Sequence, residues 1–383
     1  MPNTIRVPIS NIPMDGDYTG MIYVGSQKKP ANVLLDTGSS TLALDGNHYD
    51  PTKDSDAKLT NMAQEVGYAD RSSWVGGLVL TDIALGHGSQ MISLPKVHTA
   101  VSYHATKNMF GNADGILGLA YTRLNNVFIM PDVTLPPHFT YNQIQEGKVA
   151  YVKPYFTQLE EAGVVANKFA FYTLRSMVSH ARDDLASDPL NNGYMILGGG
   201  EENTDLYTGT FQSARVVHDD FYNTNLKAVI VGNSDPIEVP PPTKNSGNAS
   251  NSIVDSGTQA LVIDQKLFNA ILVRFSHDKP EHAHAIRIGE VAMTSLNLAN
   301  WPTLTFVMEG DAGNDIRLAL TPDTYWQLNA PESGRASAMI EGDGGSGQGQ
   351  SILGLPLINN YFTIFDRAVD QGLGAVKFAP IKR

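Results

Sequence analysis

The chain has 383 residues, of which 42% are hydrophobic and 17% are charged, and it contains 35 glycines and 21 prolines. This composition is typical of a globular protein of two or three domains that is rich in strands and turns. The formal net charge of −12 argues against nucleic acid or an anionic membrane as a partner. No apolar run reaches the roughly 18 residues that a membrane span needs, and cysteine is absent.

The first predicted elements deliver an aspartate into a turn. Short apolar runs at residues 18–24 and 31–35 are separated by polar residues, which predicts two paired strands ending at Asp36. A carboxylate at the end of an apolar strand is costly unless donors surround it. The turn that follows offers a free N–H at Gly38 and a hydroxyl at Ser39. A single turn of this kind would be uninformative.

A long β-hairpin is predicted next, over residues 64–80, with its tip at residues 69–73. Tyr68 stands just before the tip and Trp74 just after it.

The remainder of the first half contains a short motif that ends in glycine, followed by a predicted helix and a predicted strand. The run Ala113-Asp114-Gly115-Ile116-Leu117-Gly118 ends on an apolar-apolar-glycine element. Residues 155–162 have the pattern of a short amphipathic helix that Gly163 ends, and residues 169–174 are predicted to form a strand. The polar residues 179–193 are predicted to be a hinge or surface loop between two lobes.

Both features return in the second half. The stretch Ser252-Ile253-Val254-Asp255-Ser256-Gly257-Thr258 repeats the apolar strand, the aspartate and the hydroxyl-glycine-hydroxyl turn. Residues 350–358 then repeat the Ile-Leu-Gly element. Because both elements recur in the same order, the sequence predicts two related halves, each presenting one carboxylate to a shared centre.

These motifs resemble those of the pepsin-like aspartic proteases, whose two lobes each carry D-[ST]-G-[ST] and a later apolar-apolar-glycine segment. Residues 360–367 also resemble the penultimate segment of that family. The resemblance covers nearly the whole chain. It implies an all-β, bilobal fold of two pseudo-symmetric, β-barrel-like lobes, residues 1–178 and 179–383, with a cleft between them.

The resemblance also implies an acid endopeptidase that activates a water molecule between Asp36 and Asp255. Like charges a few ångströms apart push their pKa values apart, so such a pair holds one proton at acidic pH. In the family, the glycines donate to the inner carboxylate oxygens, the last hydroxyls bond the outer oxygens, and the middle hydroxyls brace the two turns. The corresponding residues are Gly38 and Gly257, Ser39 and Thr258, and Thr37 and Ser256.

The predicted hairpin matches the family's flap, which covers an extended peptide substrate. This match implies that Tyr68, Ala69 and Asp70 contact the substrate, with Tyr68 as the flap tyrosine. Ile116 matches a residue that lines the pocket beside the scissile bond, which implies a preference for bulky apolar side chains.

The flap departs from the family in two respects. Ala69 and Arg71 stand where the family has glycines. Ala43 stands where the family has the tryptophan that binds the hydroxyl of the flap tyrosine. We therefore expect Tyr68 either to use another partner, for which Trp74 is a candidate, or to move more freely.

Two other classes of function are weighed against this one. A catalytically inactive pepsin-fold binding or inhibitor protein typically loses one aspartate or its hydroxyl neighbour, and this chain retains both turns. A glycosidase with two carboxylates would not need matching turns in duplicated halves.

The close pair His282 and His284 has no recognised arrangement of further ligands, so neither a metal nor another cofactor is expected. Expected partners are an extended peptide and statine-type inhibitors such as pepstatin, and the protein is expected to be a monomer.

The lack of cysteine and the short lead before Asp36 resemble the bacterial pepsin homologues that have neither prosegment nor disulfides, the shewasin type. The first residues show no signal-peptide pattern. We therefore expect activity without proteolytic activation and a cytoplasmic location, or secretion if a leader segment is missing from the sequence.

Overall fold

The computed structural model describes residues 3–12, 17–68, 71–86, 88–106, 109–174, 191, 193–242, 249–345 and 349–382. Within these ranges the chain is mostly β-strand with a few short helices, which confirms the predicted fold class. None of the described helices is long and apolar enough to cross a membrane.

The strands of the first half are β1 Ile5–Ile12, β2 Asp17–Val24, β3 Lys29–Asp36, β4 Leu42–Asp45, β5 Lys58–Gly67, β6 Ser73–Leu85, β7 Ile92–Ala105, β8 Gly115–Gly118, β9 Asn126–Ile129, β10 Lys148–Tyr151 and β11 Lys168–Thr173. Those of the second half are β12 Gly193–Leu197, β13 Gln212–Arg215, β14 Asn223–Thr224, β15 Leu226–Val231, β16 Ile237–Glu238, β17 Ser252–Val254, β18 Leu261–Ile263, β19 Glu290–Ala292, β20 Leu304–Glu309, β21 Asp315–Leu320, β22 Trp326–Leu328, β23 Arg335–Ala338, β24 Ile340–Gly342, β25 Ser351–Leu353, β26 Tyr361–Asp366 and β27 Ala375–Pro380.

The helices are short except for a pair in the second half. Their bounds are α1 Tyr141–Gln145, α2 Tyr155–Glu161, α3 Gln265–Asp278, α4 Pro280–Ile288, α5 Pro322–Tyr325 and α6 Leu355–Ile358. The predicted helix near residue 155 is α2, and Gly163 follows it with a positive φ of 69°. This is the left-handed conformation that glycine adopts readily at helix ends.

The largest sheet joins both halves of the chain. Its strand order is β10-β9-β5-β6-β7-β4-β8-β3-β2-β1-β12-β11-β26-β27-β13. In its middle, β1 pairs antiparallel with β12 from the second half, and β11 pairs antiparallel with β26. The two halves are therefore held together by a common sheet. The predicted lobe boundary between residues 178 and 179 lies outside the described residues and stays a prediction.

A unit of four strands occurs once in each half. In the first half, β8 lies between β3, with which it is parallel, and β4, with which it is antiparallel, and β4 pairs parallel with β7. In the second half, β25 has the same relations to β17 and β18, and β18 pairs parallel with β24. The duplicated motifs of the sequence therefore correspond to a duplicated strand unit.

The core crosses the junction between the halves. Phe169 on β11 stacks on Phe365 on β26 with ring centroids 5.0 Å apart, and Tyr222 packs edge-on against Phe365 at 4.6 Å. All three side chains are buried in one hydrophobic cluster. Aromatic pairs of this kind contribute about 0.5–1.5 kcal/mol each beyond the area that they bury, so the junction is a packed core.

A chain of ion pairs reinforces the same sheet. Lys377 on β27 donates to Asp366 at 2.7 Å and to Glu201 at 2.8 Å, and Lys168 on β11 donates to Glu201 at 2.7 Å. Burial opposes ionisation of Glu201, but the two ammonium groups outweigh it and hold the pKa of this carboxyl at about 2. The network therefore persists at acidic pH and weakens only as the pH falls through that value.

Candidate active site

The two aspartates of the duplicated turns lie at equivalent positions. Asp36 is the last residue of β3, and Asp255 directly follows β17. Only 4% of Asp36 and 7% of Asp255 is exposed. Each turn supplies the donor that a buried carboxylate needs: Gly38 N donates to Asp36 Oδ1 at 2.7 Å, and Gly257 N donates to Asp255 Oδ1 at 2.8 Å.

The two carboxylates face each other across the turns. A Cβ atom added to Gly38 would lie well under 3.0 Å from Asp255 Oδ2, and one added to Gly257 would lie equally close to Asp36 Oδ1. Because side-chain atoms cannot approach so closely, only glycine lets each turn pass beside the opposite carboxylate. The reciprocal approach brings both side chains to one centre.

Four hydrogen bonds brace the two turns against each other. Thr37 N donates to Ser256 Oγ at 3.0 Å, and Ser256 N donates to Thr37 Oγ1 at 2.8 Å. The hydroxyls then donate to main-chain carbonyls of the opposite strands, Thr37 Oγ1 to Val254 at 3.1 Å and Ser256 Oγ to Leu35 at 2.6 Å. Each bond contributes about 1 kcal/mol, and a broken one would leave a buried group unsatisfied at a cost of about 1–3 kcal/mol.

The third pair of turn residues is not symmetric. Thr258 Oγ1 donates to Asp255 Oδ2 at 2.7 Å, as the resemblance implied. Ser39 Oγ, for which the same bond to Asp36 was expected, is buried without a hydrogen-bond partner of good geometry among the described residues. The Ser39 hydroxyl nevertheless lies close enough to Asp36 to favour the ionised form of that carboxyl.

The environment favours a proton on Asp36. Burial raises the pKa of Asp36 above its ordinary value, and the negative charge of Asp255 raises it further. The nearby Ser39 hydroxyl and the N–H of Gly38 oppose this only in part. A pair of carboxylates in this arrangement retains one proton over a range of pH in which isolated aspartates are ionised.

The Ile-Leu-Gly repeats pack directly on the aspartate turns. A Cβ atom on Gly118 would overlap the main chain of Ser40 and Thr41, and one on Gly354 would overlap the carbonyl oxygens of Thr258 and Ala260. Leu119 N also donates to the main-chain oxygen of Asp36 at 2.7 Å. The Ile-Leu-Gly element therefore occurs in both halves because the backbone of each aspartate turn packs so closely against its glycine that no larger residue fits there.

The hairpin predicted to be the flap consists of β5 and β6, with described residues 58–68 and 71–85. Its tip is closed by bonds from Tyr68 N to Ser72 O at 2.9 Å and from Arg71 N to Tyr68 O at 3.0 Å. Arg71 stands where the family has a glycine and adopts the positive φ of 70° that glycine favours. Ala69 and Asp70, both predicted to contact substrate, lie outside the described residues.

Tyr68 has an indole partner within the flap. Trp74 Nε1 donates to the Tyr68 hydroxyl at 3.4 Å, and the tryptophan is completely buried. Trp74 belongs to the same buried cluster as Ala43 and Ile116, with Tyr68 packed against it. Ala43 stands where the family has a tryptophan, and Trp74 on β6 supplies an indole partner for Tyr68 instead.

The sequence did not indicate a group of potential metal ligands at His218, Asp219 and Asp220. Arg123 already places its guanidinium 3.4 Å from Asp219 and 3.2 Å from Asp220, so these carboxylates have a cationic partner. The two histidines that the sequence did single out diverge, because His282 is buried against Trp301 whereas His284 is exposed on α4.

Comparison with known proteins matches nearly the whole chain. A family model described as eukaryotic aspartyl protease matches residues 17–380. Gastricsin of Mus musculus is 25% identical over 387 aligned positions, which cover 96% of this chain and 81% of gastricsin. Pepsin B of Canis lupus familiaris is 22% identical over 384 positions, which cover 95% and 82% of the two chains. The matched region includes both aspartate turns and the flap.

The raised pKa of Asp36 predicts how stability depends on pH. Between the ordinary value of 3.8 and the raised one, the folded protein binds a proton that the unfolded chain has lost, so stability falls as the pH rises. Asp36→Asn cannot ionise and should escape this loss. We expect the variant to unfold at a higher temperature than the wild type at pH 7 and at a similar temperature at pH 3.

Thermal unfolding of both proteins between pH 3 and pH 8 measures this difference. Glu146→Gln changes an exposed carboxyl in the same way and serves as the control. A lower unfolding temperature for Asp36→Asn than for the wild type at pH 7 would contradict the prediction.

Proposed function

Because the chain belongs to the pepsin-like family of aspartyl proteases, we propose that it is an endopeptidase that uses a water molecule activated between Asp36 and Asp255. The proposal is carried by one observation, the reciprocal approach of each carboxylate to the glycine of the opposite turn. A water molecule held by two such carboxylates lies within reach of both. The peptide carbonyl carbon is then attacked by water directly, without an acyl-enzyme.

The shared proton gives the two carboxylates complementary tasks. The ionised carboxylate accepts a proton from the water as general base, and the protonated one donates a hydrogen bond to the carbonyl oxygen of the substrate. A tetrahedral diol forms. Transfer of a proton to the amide nitrogen then breaks the C–N bond and releases an amine and a carboxylic acid. Burial of both carboxyls, and the raised pKa of Asp36 beside the charge of Asp255, support the retention of one proton by the pair before the attack.

The flap supplies the cover for an extended substrate. Closure of such a hairpin excludes water and brings main-chain donors to the peptide. Tyr68 packs against a buried apolar cluster that contains Ile116 and Phe110. We propose that bulky apolar residues flank the scissile bond for this reason.

Several finer properties belong to the same proposal. We propose that the enzyme has an acidic pH optimum, is inhibited by pepstatin, is a monomer and belongs to the bacterial shewasin type. The lack of cysteine supports that subtype and a cytoplasmic location. Size-exclusion chromatography tests the monomeric state, and fractionation of the native cells tests the cytoplasmic location.

We predict that Asp36→Asn and Asp255→Asn each abolish cleavage while the protein stays folded. Either change removes the ability of the pair to hold one charge and one proton together. The measurement is hydrolysis of a peptide with two adjacent bulky apolar residues at acidic pH, with and without pepstatin. Asp114→Asn, which changes a carboxylate outside the centre, is the matched control.

A folded Asp255→Asn variant that retains a substantial fraction of wild-type turnover would disprove the assignment. Folded wild-type protein that binds pepstatin but cleaves no peptide would instead indicate an inactive binding protein.

The partner of Tyr68 generates a separate kinetic prediction. A bond of 3.4 Å between neutral groups is long and therefore weak, so Tyr68→Phe and Trp74→Phe should each lower kcat/KM by less than about fivefold. Tyr68→Ala also removes the ring that packs against the apolar cluster and should cost roughly tenfold or more. Steady-state kinetics of the three variants decide this. Equal and large losses for Tyr68→Phe and Tyr68→Ala would show that the hydroxyl dominates.

A further inference from the structure

A buried polar cluster lies at the base of the flap. Gln64, on β5, has no exposed surface. Its Nε2 lies within hydrogen-bond distance of three oxygens, which share its two hydrogens: Thr41 Oγ1 at 2.9 Å, Asn125 Oδ1 at 3.0 Å and the main-chain oxygen of Asn126 at 3.0 Å. These acceptors come from the segment after Asp36 and from the start of β9, so one side chain joins three parts of the first half.

The hydrogen-bond chemistry fixes the orientation of this amide. The main-chain oxygen of Asn126 can only accept, so the amide nitrogen of Gln64 must face it. Thr41 Oγ1 accepts from Gln64 and donates to Asn125 Oδ1 at 2.9 Å, which uses both functions of the hydroxyl. Gln64 Oε1 is buried without a partner among the described residues. A buried amide with one unsatisfied oxygen carries a cost, which the contacts of its nitrogen must offset.

The cluster connects the Asp36 turn with the flap hairpin. Thr41 follows the Asp36 turn, and its main-chain oxygen accepts from Gly118 N at 2.9 Å, which fixes the end of that turn. On the other side, Gln64 pairs with Gly76 across the flap. Tyr68 follows the last residue of β5 and lies about 13 Å further along the chain, at roughly 3.3 Å per residue. Gln64 is therefore the point at which the flap is tied to the loop that carries Asp36.

We propose that Gln64 is a positioning residue: its amide holds the base of the flap in register with the Asp36 turn, so that Tyr68 closes over the bond that the dyad attacks. This inference rests on the proposed peptidase function. The tie is directional, unlike the apolar contacts of the neighbouring cluster, because it needs a donor facing three oxygens. Its removal loosens the flap without altering either aspartate.

The first test removes the donor but retains the approximate volume. Gln64→Leu should lower kcat/KM about tenfold, a free-energy difference of about 1.4 kcal/mol, and should speed hydrogen exchange at the amides of residues 65–68 and 71–75. Thr41→Val removes one acceptor of the Gln64 amide together with the hydroxyl that donates to Asn125. Because both variants break one network, the double variant should cost little more than either single one. Gln90→Leu makes the same change on the surface and should leave both readouts at wild-type values.

The second test uses pH to separate positioning from packing. In Gln64→Glu, a protonated carboxyl can still donate one hydrogen bond, whereas an ionised one would face the main-chain oxygen of Asn126 without a donor. Because burial raises the pKa of such a carboxyl above that of an exposed glutamate, the deficit in kcat/KM relative to the wild type should grow as the pH is raised from about 4 to about 7. A role in packing alone would give the same deficit at every pH. If Gln64→Leu does not fold, the pH dependence of Gln64→Glu still tests whether Gln64 positions the flap.

The outcomes distinguish the inference from the proposed function. Wild-type kcat/KM and unchanged flap exchange in a folded Gln64→Leu variant, with the wild type active, would overturn the inference and leave the peptidase function intact. Faster flap exchange with a strictly additive double variant would also overturn it, because the two residues would then act separately. A wild-type protein that cleaves no peptide would overturn the proposed function, and with it the inference.

Discussion

The organisation of this molecule depends on the burial of two carboxylates against each other. Burial of either carboxylate alone would cost free energy, because a charge removed from water must be compensated by hydrogen-bond donors or neutralised by a proton. The protein meets this cost twice in the same manner, with a strand that ends at the aspartate and a glycine N–H that returns to it. The remaining repulsion is relieved by a proton, which burial favours on Asp36.

The rest of the fold keeps these two groups in register. The brace between Thr37 and Ser256 prevents the turns from separating, since opening it would expose four buried hydrogen-bonding groups to an apolar interior. Behind it, the common sheet and the stack of Phe169 on Phe365 join the two halves. The differing contacts of Ser39 and Thr258 make the centre chemically unequal, although its backbone is nearly symmetric.

The sequence predicted those features that local chemistry dictates. The two turns, their glycines and the Ile-Leu-Gly repeats were recognisable because a close backbone approach requires glycine at fixed positions. The partner of Tyr68 was left open, since only packing between β5 and β6 decides that Trp74 fills the site near Ala43. Gln64 was not singled out, because its acceptors at residues 41, 125 and 126 are distant in sequence.

The central claim is that one proton is shared between Asp36 and Asp255 during peptide cleavage. Its most direct test is the pH dependence of kcat/KM for a peptide with two adjacent bulky apolar residues, measured from about pH 1 to pH 8. The account predicts a bell-shaped profile, because activity is lost when the pair gains a second proton at low pH and when it loses its only proton at high pH. A profile that rises steadily through neutral pH, or that does not depend on pH, would contradict it.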